Sequence, residues 1–139
     1  MSVEIDLQAA LYTRLAAQIV GVGKDCTAVY DYPPETASYP YVTFGQIILS
    51  SEDAQTRNRF SALIRLHTWD RSGGSRKVKN IQGDIYAALH DYDLPTPDDG
   101  GGAANWSCYS LLREASFTER DPDGVVHGVC EYRALIHSA

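Results

Sequence analysis

Between Arg57 and Trp69 the chain alternates in chemistry with a period of two. Phe60, Ala62, Ile64 and Leu66 take one parity, and Arg57, Arg59, Arg65 and His67 take the other. Only a β-strand places alternate residues on opposite faces, so this span reads as a strand with one buried side. A strand of that kind needs a sheet beside it and a second layer over the apolar side. Two helical stripes elsewhere can supply that layer. Leu7, Leu11, Leu15 and Ile19 recur every four residues, with Ala10 and Ala16 beside them, which predicts an amphipathic helix from Val3 to Ile19 stopped by Gly21 and Gly23. Val78, Ile81, Ile85, Ala88 and Leu89 predict a second helix ending near His90, with Ser75 placed to cap it.

The remaining strands follow from alternation and turn chemistry. Thr27–Tyr30 is a short strand candidate, and Asp31-Tyr32-Pro33-Pro34-Glu35 breaks regular structure after it. In Tyr41–Leu49, Val42, Phe44 and Ile48 share the core-facing parity. Ile47 and Leu49 are then expected on the opposite face, with Leu63 and Trp69, as an apolar partner surface or as residues packed under a long loop. Ser50–Thr56 reads as a hairpin tip, and the Pro-, Asp- and Gly-rich stretch Leu94–Ala104 as a solvated loop. Trp106–Glu119 and Val125–His137 form a hairpin around Asp121-Pro122-Asp123-Gly124, with Val126, Cys130, Tyr132, Ala134 and Ile136 inward. The expected fold is α+β in a single domain over residues 1–139. Its sheet is mostly antiparallel with four to five strands, and two helices pack on one face.

Composition removes several classes. A chain of 139 residues with 44% apolar and 22% charged residues can bury a core and does not read as disordered. No apolar run approaches the roughly 20 residues of a membrane helix. Acidic Glu4 and Asp6 stand where a signal peptide would be basic. Cys26, Cys108 and Cys130 are too few and too scattered for a disulfide framework, and read as reduced apolar residues. His67, His90, His127 and His137 show no metal-ligand spacing with them, so no metal and no cofactor is expected. No nucleophile elbow is present, and the acids gather in turns, so no catalytic residue is assigned. The Asp70–Lys77 stretch, ahead of a helix N-terminus, is the one candidate anion site.

Charge placement is more informative. The chain has net charge −6, against expectation for a general nucleic-acid binder. Yet Arg57, Arg59, Arg65, Arg71, Arg76, Lys77 and Lys79 fall in one window with Asp70 as its single acid, giving +6 there and −12 elsewhere. The window reads either as a solvated face or as a subunit interface that meets an acidic region of the next copy.

Two stretches carry a resemblance. One is Val29-Tyr30-Asp31-Tyr32-Pro33-Pro34 followed by Tyr39-Pro40-Tyr41-Val42-Thr43-Phe44-Gly45. The other is Leu66-His67-Thr68-Trp69-Asp70-Arg71-Ser72-Gly73-Gly74 running into the second helix. With the leading helix, they resemble the tail completion (tail terminator) family of long-tailed bacteriophages and related prophage or gene-transfer particles. The resemblance implies a non-enzymatic structural protein of the virion, assembled in the bacterial host cytoplasm. It implies a self-associating ring, usually a hexamer, at the head-proximal end of the tail. The implied partners are the tail tube protein and the head–tail connector, with DNA passing through unbound and no membrane involved. Glu52, Asp53, Asp98 and Asp99 are then candidate lumen acids, since like charge lets a duplex slide. A head–tail connector or neck adaptor is the alternative. A small ligand-binding or enzymatic domain built from His67, Trp69 and the Arg71–Lys77 loop is a third reading, from a different class.

Overall fold

The computed structural model describes residues 3–52, 58–95 and 106–138. Its elements run α1 (Val3–Gln18), β1 (Val29–Tyr30), β2 (Tyr41–Ser51), β3 (Asn58–Asp70), α2 (Arg76–Leu89), β4 (Trp106–Arg120) and β5 (Val126–Ser138). The α+β class and the element order follow the sequence expectation. The strands form one five-stranded sheet in the order β1-β2-β3-β5-β4. β1 pairs with β2 in parallel, and every other pair is antiparallel.

The center of the sheet is the β3–β5 ladder, which runs without a register shift from Asn58↔Ser138 to Asp70↔Val126. At about 3.3 Å per residue this ladder is roughly 40 Å long, so its two ends are distant places on the molecule. Its apolar parity is dry: Ala62, Ile64, Leu66, Cys130, Tyr132, Ala134 and Ile136 are all buried. Leu7, Leu11 and Leu15 of α1 and Ile81, Ile85 and Leu89 of α2 complete the same core. Helix α2 lies close on β5 because Gly128 has no side chain. A Cβ there would come within 2.5 Å of Val78 and 2.6 Å of Gln82. Buried Gln82 in turn donates from Nε2 to the Phe117 carbonyl at 3.0 Å, fixing α2 against β4.

Three expectations need correction. The parity of β2 is not constant, because its register with β3 shifts between Phe44 and Ile47. Ile47 and Leu49 therefore pack against the core, and Ile48 points outward. The shift sits at Gly45, where an added Cβ would collide with the His67 imidazole and approach the Arg65 carbonyl oxygen at 3.1 Å. Glycine, without a Cβ, tolerates this close approach, and the bulge beside it moves every later residue to the other face. Ser75 sits at the start of α2 but is already helical in φ and ψ, and its hydroxyl makes no capping bond. Leu94, read as part of a solvated loop, is buried in the core. The Ser50–Thr56 tip and the Leu94–Ala104 loop otherwise fall partly outside the described residues.

The predicted Asp121–Gly124 turn forms, with Gly124 at φ 83° and the Asp121 N–H donating to the Val125 carbonyl at 2.8 Å. Edge strand β4 carries register shifts between Cys108 and Ser110 and between Arg113 and Ala115. Such bulges and the charges around them blunt an edge that would otherwise invite strand addition.

Candidate assembly surface

The face of the sheet away from the helices carries the polar parity. Arg65 stands directly across from Glu131 and donates to its Oε1 from Nη2 at 2.9 Å and from Nε at 3.2 Å. Arg133 makes an ion pair with Glu114 and a hydrogen bond to the Ser61 hydroxyl. Among these groups stand exposed Ile48, Leu112 and Phe117 and half-buried Leu63. An apolar outer patch is thus present, but Ile47 and Leu49 are not in it.

Toward the Asp70 end this face becomes aromatic. The rings of Trp69 and His127 stack at 3.9 Å with 3° between their planes, and His67 stacks against both. The indole Nε1 donates to the Thr43 hydroxyl at 3.1 Å, so Trp69 is held on an edge and a face. His67 Nδ1 lies 2.6 Å from His127 Nε2, a separation that requires one proton between them. Both imidazoles titrate below the ordinary range. For His67 the causes are burial, then the His127 and Arg65 charges; for His127 burial outweighs the upward pull of Asp121 and Glu119. Beside this stack, Tyr41 contacts Tyr39 at 5.1 Å and Tyr30 at 5.7 Å. Burial and a hydrogen bond with Tyr39 push the Tyr41 phenol up. Tyr39, Tyr41 and Trp69 line a cleft of about 320 Å³ that Asp31 and Asp121 also enter.

The basic window does not form one strip. Arg59 is exposed at the far end of β3, and Arg65 is spent on Glu131 in mid-sheet. Arg71, Arg76, Lys77 and Lys79 gather after Asp70, exposed and with no ion pair among the described residues. Buried Asp70 shapes the loop between β3 and α2, accepting from the Arg71 N–H at 2.8 Å and from the Ser72 hydroxyl. The first turn of α2 holds no acid, so its three cations face the positive end of the helix dipole at a cost of about 0.3–1 kcal/mol each. Glu52 is exposed beyond the end of β2, its backbone N–H bonded to the Arg59 carbonyl at 2.8 Å. Arg57, Asp53, Asp98 and Asp99 lie outside the described residues.

His67 and Trp69, named together from the sequence, do converge. The Arg71–Lys77 loop joins them only through Arg71, whose guanidinium carbon stands 5.5 Å from the Tyr39 ring centroid. Tyr39, Tyr41, Asp31, Asp121 and His127 were not legible as one site, since they come from two loops and two strands. The crowding of Tyr30, Tyr32, Tyr39 and Tyr41 around the Pro33-Pro34 break was the available signal. The three thiols are buried as expected. Burial pushes Cys26 up to about 11 and raises Cys108 and Cys130, which leaves them poor nucleophiles. Among the described residues no three His, Cys, Asp or Glu side chains gather as a metal site, and no helix is long and apolar enough to cross a membrane.

The chain is a small α+β protein with a dry helix layer, a charged and aromatic outer sheet face, and exposed cations at one end that make no ion pair among the described residues. Residues 7–137 match the model of the family described as tail completion protein gp17, and the chain belongs to that family. It is a structural protein of the bacteriophage virion tail and assembles there with other phage proteins. Among solved structures, a chain described as "Virion of native gene transfer agent (GTA) particle" shares the fold. Its TM-score is 0.82 at 22% identity, over 99% of this chain and 98% of that one. No curated protein matches.

Proposed function

We propose that copies of this chain form a ring at the head-proximal end of the tail tube, end tube growth there and join the tail to the head. The role is structural, without catalysis, and the ring is expected to be a hexamer. Family membership over residues 7–137 is the observation that carries this reading. The segregated charge supports it: exposed Arg71, Arg76, Lys77 and Lys79 at one end give a chain of net charge −6 a polar surface for its own copies. A head-to-tail contact closes into a ring when the rotation between copies permits. Glu52, Asp53, Asp98 and Asp99 would then serve as lumen acids past which DNA slides without binding.

Light scattering on the purified chain, alone and with purified tail tubes, tests the reading together with electron microscopy of the mixture. The expected result is a ring seated on one end of the tube and an arrest of tube elongation. A chain that stays monomeric at high concentration and leaves tube ends bare and growing overturns it.

A further inference from the structure

The cleft of about 320 Å³ beside Trp69 is built like a receptor for a cation. Four aromatic residues, Tyr39, Tyr41, Phe44 and Trp69, line it, together with Asp31 and Asp121. Aromatic faces attract ammonium and guanidinium groups through the ring quadrupole, most strongly where water is thinned out. Neither carboxylate makes an ion pair among the described residues. The wall is preorganized: Trp69 is stacked on His127 and bonded to Thr43, and Tyr41 is wedged between Tyr30 and Tyr39. Arg71 of the same chain already stands at the rim, 5.5 Å from the Tyr39 ring centroid.

The complementary group is on the same molecule. Arg76, Lys77 and Lys79 are exposed, have no acidic partner among the described residues, and begin the helix only a few residues after Trp69. The cleft opens on the outer face of the sheet, while α2 packs on the inner face, so one subunit cannot bring its own α2 cations into its own cleft. Both features nonetheless lie at the Asp70 end of the long β3–β5 ladder, at one level along the strands. Two complementary surfaces at one level and on opposite sides of a subunit are what a cyclic head-to-tail assembly requires.

We infer that the Tyr39–Tyr41–Trp69 cleft, with Asp31 and Asp121, receives the Arg76 and Lys77 side chains of a second copy of this chain. This rests on the ring reading and deepens it by naming both halves of the contact. Asp31 and Asp121 supply charge, the rings supply orientation, and the α2 cations find there the counter-charge that the first turn of their own helix lacks.

Charge exchange in the full chain tests the contact. Arg76→Glu with Lys77→Glu, and separately Asp31→Lys with Asp121→Lys, are each expected to weaken self-association about tenfold or more. Mixing the two double variants restores at one interface what each has lost, so mixed assemblies are expected where neither variant assembles alone. A second measurement does not depend on tolerance of charge reversal. Asp121→Cys chains are mixed with Lys77→Cys chains and treated with a short bis-maleimide, each end of which adds one cysteine thiol. Crosslinked pairs are expected to contain one chain of each kind, and the buried native thiols do not compete. Rings on tube ends with no mixed crosslink and no effect of charge reversal overturn this contact and leave the ring standing. Absence of any ring from the wild-type chain overturns the ring and this contact together. Crosslinking of either variant to the tube protein instead of to the second copy assigns the cleft to another partner and refutes the inference.

Discussion

The two faces of the sheet are cut from the same strands, yet they obey different rules. On the covered face Ile64, Leu66, Tyr132 and Ile136 are inaccessible to water and touch helices. On the open face, one residue away along each strand, stand Leu63, Arg65, His67, Glu131 and Arg133, partly exposed and joined by ion pairs and ring stacking. The covered face spends its alternation on burial, at about 25 cal/mol per Å² of apolar surface removed from water. Among the described residues the open face has no second layer, so its polar pairs are wet and contribute little to stability. The difference separates labor: one face holds the fold together, and the other contributes little to doing so.

The sharpest way to break this comparison is a pair of truncations one residue apart. Ile64→Ala is expected to cost about 2–5 kcal/mol in urea unfolding, and Leu63→Ala well under half of that. Equal losses would mean that the open face is covered in solution. Gly128→Ala comes next, because its methyl group drives into Val78 and Gln82. Overpacking of that kind costs about 1–3 kcal/mol, and the loss is expected to shrink when Val78 is cut back to Ala in the same chain.

The histidine stack sharpens the comparison through pH. His67 and His127 both titrate below the ordinary imidazole value of 6.5 in the fold. The unfolded chain therefore binds protons first as pH falls, so stability is full above about 6.5 and declines as pH drops below it. Urea midpoints measured from pH 8 to pH 5 should show the decline, and His127→Phe should flatten it. A slope unchanged by that substitution would place the titration elsewhere. The smallest effect is expected at Arg65 and Glu131. A double-mutant cycle to Ala at these half-exposed groups should give a coupling of about 0–1 kcal/mol.

Much of this division was written in the chain. The period of two in β3 and β5 and the four-residue recurrence of Leu7, Leu11 and Leu15 determined which residues go inward, because strand and helix geometry leave side chains no other choice. The Asp121–Gly124 turn was equally local, set by proline and by a glycine with positive φ. The candidate site was half legible: His67 and Trp69 share a strand parity and so had to meet.

Tertiary structure alone decided the rest. The parity of β2 reverses at a register shift beside Gly45, where the strand passes close to the His67 ring, a contact between residues far apart in sequence. The basic window comes apart because a strand some 40 Å long carries Arg59 away from Arg71 and lays Arg65 against Glu131. Tyr39, Trp69 and Asp121 become one cleft only when three loops and strand ends meet at one end of the sheet. Local periodicity fixes where a side chain points, but proximity between distant segments depends on strand order and register, which no single stretch of the sequence encodes.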